Sequence, residues 1–463
     1  MATISSLGIG SGLDLNGLLD QLKSAEREQL KPITQQQKSY QSQISAYGQL
    51  ESALSKFQDA AAKLNDADLF KGVTSEVTGS AVTAAGGTDA APGRYDIEVT
   101  QLARAQSLAA DGVDDSSRSL GSAGTLTLGI GSGAGTDIEI AAGSSLEDVR
   151  DSINAAGVGV QASIVNDGGA GGAGQPYRLV LTSEETGTES EIAVSFDDGD
   201  GGTTSELEGL MGNTSALTET VSAANAELSV NGIDITSQSN TVEGAVQGVT
   251  LSVAEVDTAT LTVKRDNASV ESAVSSFVSS YNQLQSKMAD LTSFNAETGQ
   301  AGELLGDGTL RSVESRLRNA LGGNAAESGT IQMLSDIGVS LKVDGKLELD
   351  EEALRDVVAD DLGALSTFFT GDDEAGGFAG QVDAVLERML SDNGLIANST
   401  QGLEDSVDRL GERYSRTEES IANTIARYRE QFSQLDSMIA NMNSTSSYLT
   451  QQFSNMNAQL GRN

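Results

Sequence analysis

The residues of this chain with the means to do chemistry fall into a few short clusters. Asp197-Asp198-Gly199-Asp200-Gly201-Gly202, with Glu206 and Glu208 close behind, offers carboxylate oxygens of the kind that hold calcium. A calcium loop needs Asp-x-Asp-x-Asp-Gly with a glutamate six residues on, and that spacing is missing, so the stretch reads as a solvated acidic turn. Gly168 to Gly174 has the backbone freedom to cradle a phosphate, but neither a helix start nor a lysine follows it. Gly8-Ile9-Gly10-Ser11-Gly12 lacks the preceding strand of a dinucleotide site. Glu184-Glu185 and Asp372-Asp373-Glu374 are neighbours in sequence rather than the opposed pair that acid–base catalysis uses. There is no His, Cys or Trp, which removes the usual proton shuttle at neutral pH, thiol nucleophiles, disulfides and Cys/His zinc sites. These residues assign no catalytic, cofactor-binding or metal-binding role, and a non-enzymatic protein is expected.

The informative pattern lies in the two ends. From Leu403 an apolar seam runs through Val407, Leu410, Tyr414, Thr417, Ile421, Ile425, Tyr428, Phe432, Leu435, Ile439, Met442, Ser446, Leu449, Phe453, Met456 and Leu460. Its steps alternate four and three, with a stutter between Ile421 and Ile425. No proline or glycine falls between Gly411 and Gly461, so one continuous helix on the order of 85 Å long is expected. A helix of that length with so narrow a stripe must pack against something else. Behind Pro32, which suits a helix start, Ile33, Gln37, Tyr40, Ile44, Tyr47, Leu50, Leu54, Phe57, Ala61 and Leu64 repeat the spacing. Ile4, Leu7, Ile9, Leu13, Leu15, Leu18, Leu19 and Leu22 add a shorter apolar set. The ends therefore pair with each other or with neighbours; an antiparallel coiled coil that merely closes a domain satisfies the pattern equally.

Charge divides the chain the same way. Residues 71–402 carry −35 of the formal −39, and the two ends are close to neutral. An acidic middle stays soluble and repels nucleic acid and anionic membrane, whose recognition needs clustered Lys and Arg. The first basic residue is Lys23, so no secretory signal peptide is expected, and no apolar run is long enough for a membrane helix.

The middle is β-rich. Val73–Val77, Arg94–Val99, Thr125–Leu128, Ile138–Ile140, Val158–Val165, Tyr177–Leu181 and Ile192–Phe196 read as strands, and Ser144 with Glu147 as a capping box. Ala226–Val230, Ile233–Ile235, Val249–Val256 and Thr260–Val263 form a second strand group, with Asn231-Gly232 as a hairpin turn. Helices return with Val270, Val274, Phe277, Tyr281, Leu284, Met288 and Leu291, then with Leu310, Val313, Leu317 and Leu321. Val339–Val343 and Lys346–Leu349 read as a hairpin about the two-residue turn Asp344-Gly345, and Asp350 as the cap of a following helix. A last helix holds Val382, Leu386 and Met389. The fold class is α+β and multidomain, with a terminal coiled-coil leg, a helical bundle bearing a β-hairpin, and two β-rich head domains inserted between the helical ends. The expected domains are 1–70 (N-terminal leg), 71–119 with 226–265 (discontinuous β-rich head), 120–225 (second α+β head), 266–402 (helical leg with hairpin) and 403–463 (C-terminal helix).

Met1-Ala-Thr-Ile-Ser-Ser-Leu-Gly-Ile-Gly-Ser-Gly-Leu-Asp14 resembles the opening of the flagellar filament-capping proteins, the hook-associated protein 2 (FliD) family. Asn231 to Leu251 is similar to that family's central motif, as are Leu334–Leu341, Gly345–Asp350 and Arg427–Asp436, in family order along nearly the whole chain. Residues 120–196, with Leu146–Asn154, resemble the insertion module shared by flagellins and cap proteins. The resemblance implies a homo-oligomeric ring of about five copies at the distal filament tip. It implies export by the flagellar type III route without a cleaved signal, and flagellin as the main partner. Hook–filament junction proteins and an export chaperone would be further partners, with no cofactor, nucleic acid or membrane insertion. Its filament-contacting residues would be Ile4, Leu7, Ile9, Leu13, Leu15, Leu18, Leu22, Leu449, Phe453, Met456 and Leu460. A glycan adhesin at the tip and a filament or hook-junction subunit remain alternatives on sequence alone.

Overall fold

The computed structural model describes residues 12–169, 174–199, 205–323, 330–371, 376–459 and 461. Ile4, Leu7, Ile9, Leu460, Asp200–Gly202 and Asp372–Glu374 lie outside them. In chain order the helices are α1 (Leu15–Arg27), α2 (Lys31–Leu64), α3 (Leu146–Ala156), α4 (Glu206–Met211) and α5 (Asn267–Thr292). They continue with α6 (Gly308–Leu321), α7 (Glu351–Asp360), α8 (Leu362–Thr370), α9 (Phe378–Leu390) and α10 (Leu395–Gln459). The chain divides into two compact units, Met1–Ala67 with Val270–Asn463, and Asp68–Ser269. It is an α+β protein in which helical ends enclose β-rich domains.

The first unit is a helical bundle. The heptad residues expected on α2 and α5 point inward: Leu50, Leu54, Phe57, Val270, Val274, Phe277, Tyr281 and Leu284 are all buried. Phe57 lies 5.0 Å from Phe277 and 5.4 Å from Tyr281 between ring centroids. Phe378 of α9 stacks on Phe368 of α8 at 5.3 Å, so one aromatic cluster ties four helices together. Helix α8 was not expected from the sequence, because Leu365, Phe368 and Phe369 fit a short buried strand as well as a helix turn. Polar contacts fix the register: Tyr47 donates to Asp307 at 2.8 Å and Gln58 to Asp383 at 2.9 Å. Burial, reinforced by the Asp307 carboxylate, raises the Tyr47 hydroxyl above its usual value.

The hairpin differs from the two-residue turn read from sequence. Val339–Leu341 pairs with Leu347–Leu349, and Lys342 N donates to Lys346 O, which leaves Val343-Asp344-Gly345 as a three-residue loop. Gly345 takes the left-handed φ of 81° that this loop type needs. Asp350 caps α7 as expected, accepting from the backbone of Glu352 and Ala353.

The second unit holds two cores. Val73–Gly79, Thr258–Arg265, Gly93–Gln101, Ala226–Val230 and Ile233–Ser237 form an antiparallel five-stranded sheet in that spatial order. A three-stranded sheet of Thr241–Val246, Val249–Val253 and Val82–Gly86 shares its core, which includes Ile97, Leu228, Leu251 and Leu261. The Asn231-Gly232 turn is as expected: Val230 faces Ile233, with φ of 51° and 80° at the two turn residues, a type I′ geometry. The other core is lined by α3, by a four-stranded sheet (Thr218–Val221, Ser107–Ala109, Tyr177–Ser183, Val160–Asn166) and by a three-stranded one (Thr136–Ile140, Gly124–Ile130, Ile192–Asp197). Leu108, Ala110 and Val113 pack into this core, so the chain changes module well ahead of residue 119. The capping box sits one residue later than read from sequence. Ser145 caps α3 and Asp148 returns the bond to Ser145 N at 2.9 Å, because Leu146, Val149 and Ile153 must share the buried face.

Arg118 stitches this second core's surface by gripping Asp114 and Glu206 together. The Arg118 hydrogen bond holds the Glu206 carboxyl below its usual range, and Glu206 in turn raises the guanidinium. A depressed carboxyl stabilises the fold above its unfolded value, about pH 4.3, and loses that effect as pH falls through the folded value. Amide protection over Glu206–Met211, taken as exchange relative to the intrinsic rate at the same pH, is therefore expected to fall below about pH 4.3, with Arg118→Gln flattening that dependence and costing less than about 1 kcal/mol at pH 7. In the bundle, Phe57→Ala removes a fully buried ring from the aromatic cluster. We expect a loss of about 3–5 kcal/mol in urea unfolding.

Candidate docking surface on the terminal helices

Asp14 caps α1, accepting from Gly17 N at 2.9 Å, and α1 then lays Leu15 and Leu19 into the bundle. It runs antiparallel to α10: Arg27 pairs with Glu418 at 2.9 Å, and the earlier Lys23 lines a groove with Ile421, Ile425 and Arg429. Helix α10 is 65 residues long, about 100 Å, and begins before the Leu403 start read from sequence, running through Gly402 and Gly411. It packs along α2 and α1.

Burial then fades along the seam. Leu410 and Ile421 are buried; Ile425, Tyr428, Phe432 and Ile439 are half-buried; Leu435, Met442, Leu449, Phe453 and Met456 are exposed. Of the N-terminal set, Leu15 is buried, Leu22 half-buried, and Leu13 and Leu18 exposed. Among the seam residues of α2, Ile33, Tyr47, Leu54 and Phe57 are buried, whereas Tyr40 and Ile44 are half-buried. The structure thus separates two uses of one repeat. The upper seam is core, and the lower seam is an apolar stripe with no cover among the described residues of the chain.

Two exposed residues, Met438 at 66 % and Tyr448 at 62 %, widen that stripe and were missed by the heptad reading. The signal that finds them is charge: residues 437–461 contain no charged side chain at all. Asn, Ser, Thr and Gln fill the rest of the helix surface there. A partner on this face meets apolar groups and amide or hydroxyl dipoles, with no ion pair to form.

In two of the clusters first considered for chemistry the described residues take part in local structure. Asp197 accepts from Gly199 N at 2.9 Å in a local turn, and Glu206 is taken by Arg118. Gly168 N and Gly169 N are bonded to the side chains of Asn166 and Asp167. Among the described residues no group of three His, Cys, Asp or Glu is placed to hold a metal ion, and no helix is long and apolar enough to cross a membrane.

Ile421→Ala, at the last buried seam position, is expected to cost about 2–4 kcal/mol in urea unfolding. Removing residues 441–463 strips only exposed side chains in the described part and should leave Tm within about 2 °C.

Comparison with known proteins agrees with this architecture. Residues 11–106 match the family model for the flagellar hook-associated protein 2 N-terminus, residues 223–444 that for its C-terminus, and residues 125–185 the flagellin hook IN motif. The flagellar hook-associated protein 2 of Escherichia coli O157:H7 is 37% identical over 98% of this chain and 99% of its own length. That of Salmonella typhimurium strain LT2 is 37% identical over 99% of this chain and 100% of its own. The D1-D2-D3 crystal structure of the flagellar cap protein FliD from Escherichia coli superposes with a TM-score of 0.68 at 34% identity, covering 78% of this chain and 99% of that one. With full-length relatives, N- and C-terminal family models and a cap-protein fold in agreement, the chain belongs to the flagellar hook-associated protein 2 (FliD) family.

Proposed function

We propose that this chain is a filament cap: a non-enzymatic protein at the distal tip of the bacterial flagellum that blocks flagellin loss and promotes folding and insertion of exported subunits. The observation that carries the mechanism is the uncharged apolar stripe on the lower half of α10, exposed from Met442 to Met456. A single chain gains nothing by holding Met442, Phe453 and Met456 in water, and so large an apolar run marks a partner surface. Flagellin at the open filament end is that partner. Leu13, Leu18, Leu449, Phe453 and Met456 contact it directly, together with Ile4, Leu7, Ile9 and Leu460, while Leu15 and Leu22 position α1.

The cap is a ring of about five copies, its legs formed by residues 1–70 and 266–463 and its plate by residues 71–265. Polar residues interrupt the stripe at Thr445 and Ser446, which keeps the contact weaker than an all-leucine seam and lets it exchange as subunits enter. The chain leaves the cell by the flagellar type III route, and an export chaperone covers the stripe until then. Junction proteins at the hook are its neighbours before the filament grows.

The test is to add purified protein to bacteria that lack a cap protein but still export flagellin, and to compare filament mass with flagellin shed into the medium. Filaments should regrow, and trimming residues 1–30 or 449–463 should abolish regrowth. Phe453→Asp with Met456→Asp should do the same while leaving the melting curve unchanged, since both side chains are exposed. Continued shedding with folded protein would sink the reading.

A further inference from the structure

The hairpin loop and a groove on another flank of α5 form a matched pair that a single chain leaves unused. Val343 at the loop stands at 109 % of its reference exposure, and Leu341 at 49 %. The loop is nevertheless held firmly. Asn282 of α5 clasps Leu347, donating to its carbonyl and accepting from its N–H, each at 2.8 Å. Lys342 adds an ion pair to Glu348 at 3.0 Å. An apolar tip on a rigid strut is a contact site in want of a partner.

The groove lies between α2 and α5, with a volume of about 420 Å³. Ser45, Gly48, Ser52 and Ala53 give it a low floor, and Lys56 and Lys287 stand beside it. Gly48 sits inside a 34-residue helix, where glycine is less favourable than alanine. A Cβ there would meet nothing within 4 Å. Among the described residues nothing fills the space of the missing side chain, and the groove floor stays open there. Lys56 and Lys287 have no ion-pair partner among the described residues, in a chain of formal charge −39. Asp344, next to Val343, supplies the complementary charge.

Both features lie at one height on the bundle. Ser280, Gln283 and Lys287 of α5 line the groove. Asn282 holds the hairpin, and Gln285 lies 3.7 Å from where a Cβ on Gly345 would stand. At about 100° per residue these two sets flank the buried stripe of Tyr281, Leu284 and Met288 on its two sides.

We propose that the hairpin of one copy seats in the α2–α5 groove of the next, with Val343 and Leu341 over Gly48 and Ser52 and Asp344 between Lys56 and Lys287. The contact is head-to-tail, and its lack of axial offset lets repetition close a ring rather than climb a helix. It rests on the cap reading only in taking the assembly to be a ring of this chain.

The absence of native cysteine makes the test direct. Full-length Ser52→Cys and Val343→Cys proteins are mixed and oxidised, and native mass spectrometry follows the wild-type assembly in parallel. The mixture should yield a disulfide-linked dimer that neither single variant gives alone, and the double variant a ladder that stops at the ring. Gly48→Leu should keep or raise Tm while shifting half-assembly to at least about tenfold higher concentration, a combination that misfolding cannot produce. Rings that form without cross-linking, or that tolerate Gly48→Leu, overturn the groove and leave the cap reading standing. A chain that stays a single copy at every concentration and never cross-links overturns the ring as well.

Discussion

One constraint organises the helical unit: a helix of 65 residues carries an apolar stripe far longer than its neighbours can cover. Helices α2 and α1 lie against it, and Leu410 and Ile421 are buried. Beyond them the repeat continues unchanged in sequence while its burial falls away, from Ile425 through Phe432 to an exposed Leu435. The energetic asymmetry follows from position alone. The same side-chain types contribute to folding at one end and stay exposed at the other.

Charge is distributed to protect that arrangement. Acidic groups are concentrated in residues 71–402 and kept off residues 437–461 altogether. Near the terminal helices Arg27 pairs with Glu418 across the packing and Lys31 with Glu28 within one turn of the chain, and such exposed pairs add little stability. Asparagine serves a related purpose inside the fold. Asn154, Asn240 and Asn282 each clasp both backbone groups of one residue, Ala162, Ala103 and Leu347 respectively. Each satisfies a backbone pair outside the regular ladders, and the Asn154 clasp does so on the outer strand Val160–Asn166, where open pairing groups would invite a foreign strand.

Much of this was legible from residues in order. Heptad spacing located α2, α5 and α10, because a single buried face leaves a period that no other constraint imitates. Asn231-Gly232 identified its turn because only a few residue types accept positive φ. What escaped was non-local. The strand Ser107–Ala109 has three residues and is defined by its partners Thr218–Val221 and Tyr177–Ser183, distant in sequence. Helix α8 is placed by the aromatic cluster rather than by its own period. The capping box slipped by one residue because Ser144 and Ser145 are both competent, and only the burial of Leu146 chooses between them. At the candidate surface the seam was visible but its division into core and stripe was not, since the repeat itself does not say where α1 and α2 stop.

The exposed stripe also bears on how a contact can be held and still move. Ion pairs fix partners at particular positions and weaken with salt, whereas apolar groups ringed by amides and hydroxyls present nearly the same chemistry at each seven-residue step. From Met442 through Leu449 to Met456 the stripe repeats itself at that interval. A docking face built this way has neighbouring registers of similar free energy separated by modest barriers. That is the property a tip-bound ring needs if it is to stay attached while the surface beneath it is renewed, and charged residues along the same helix would remove it.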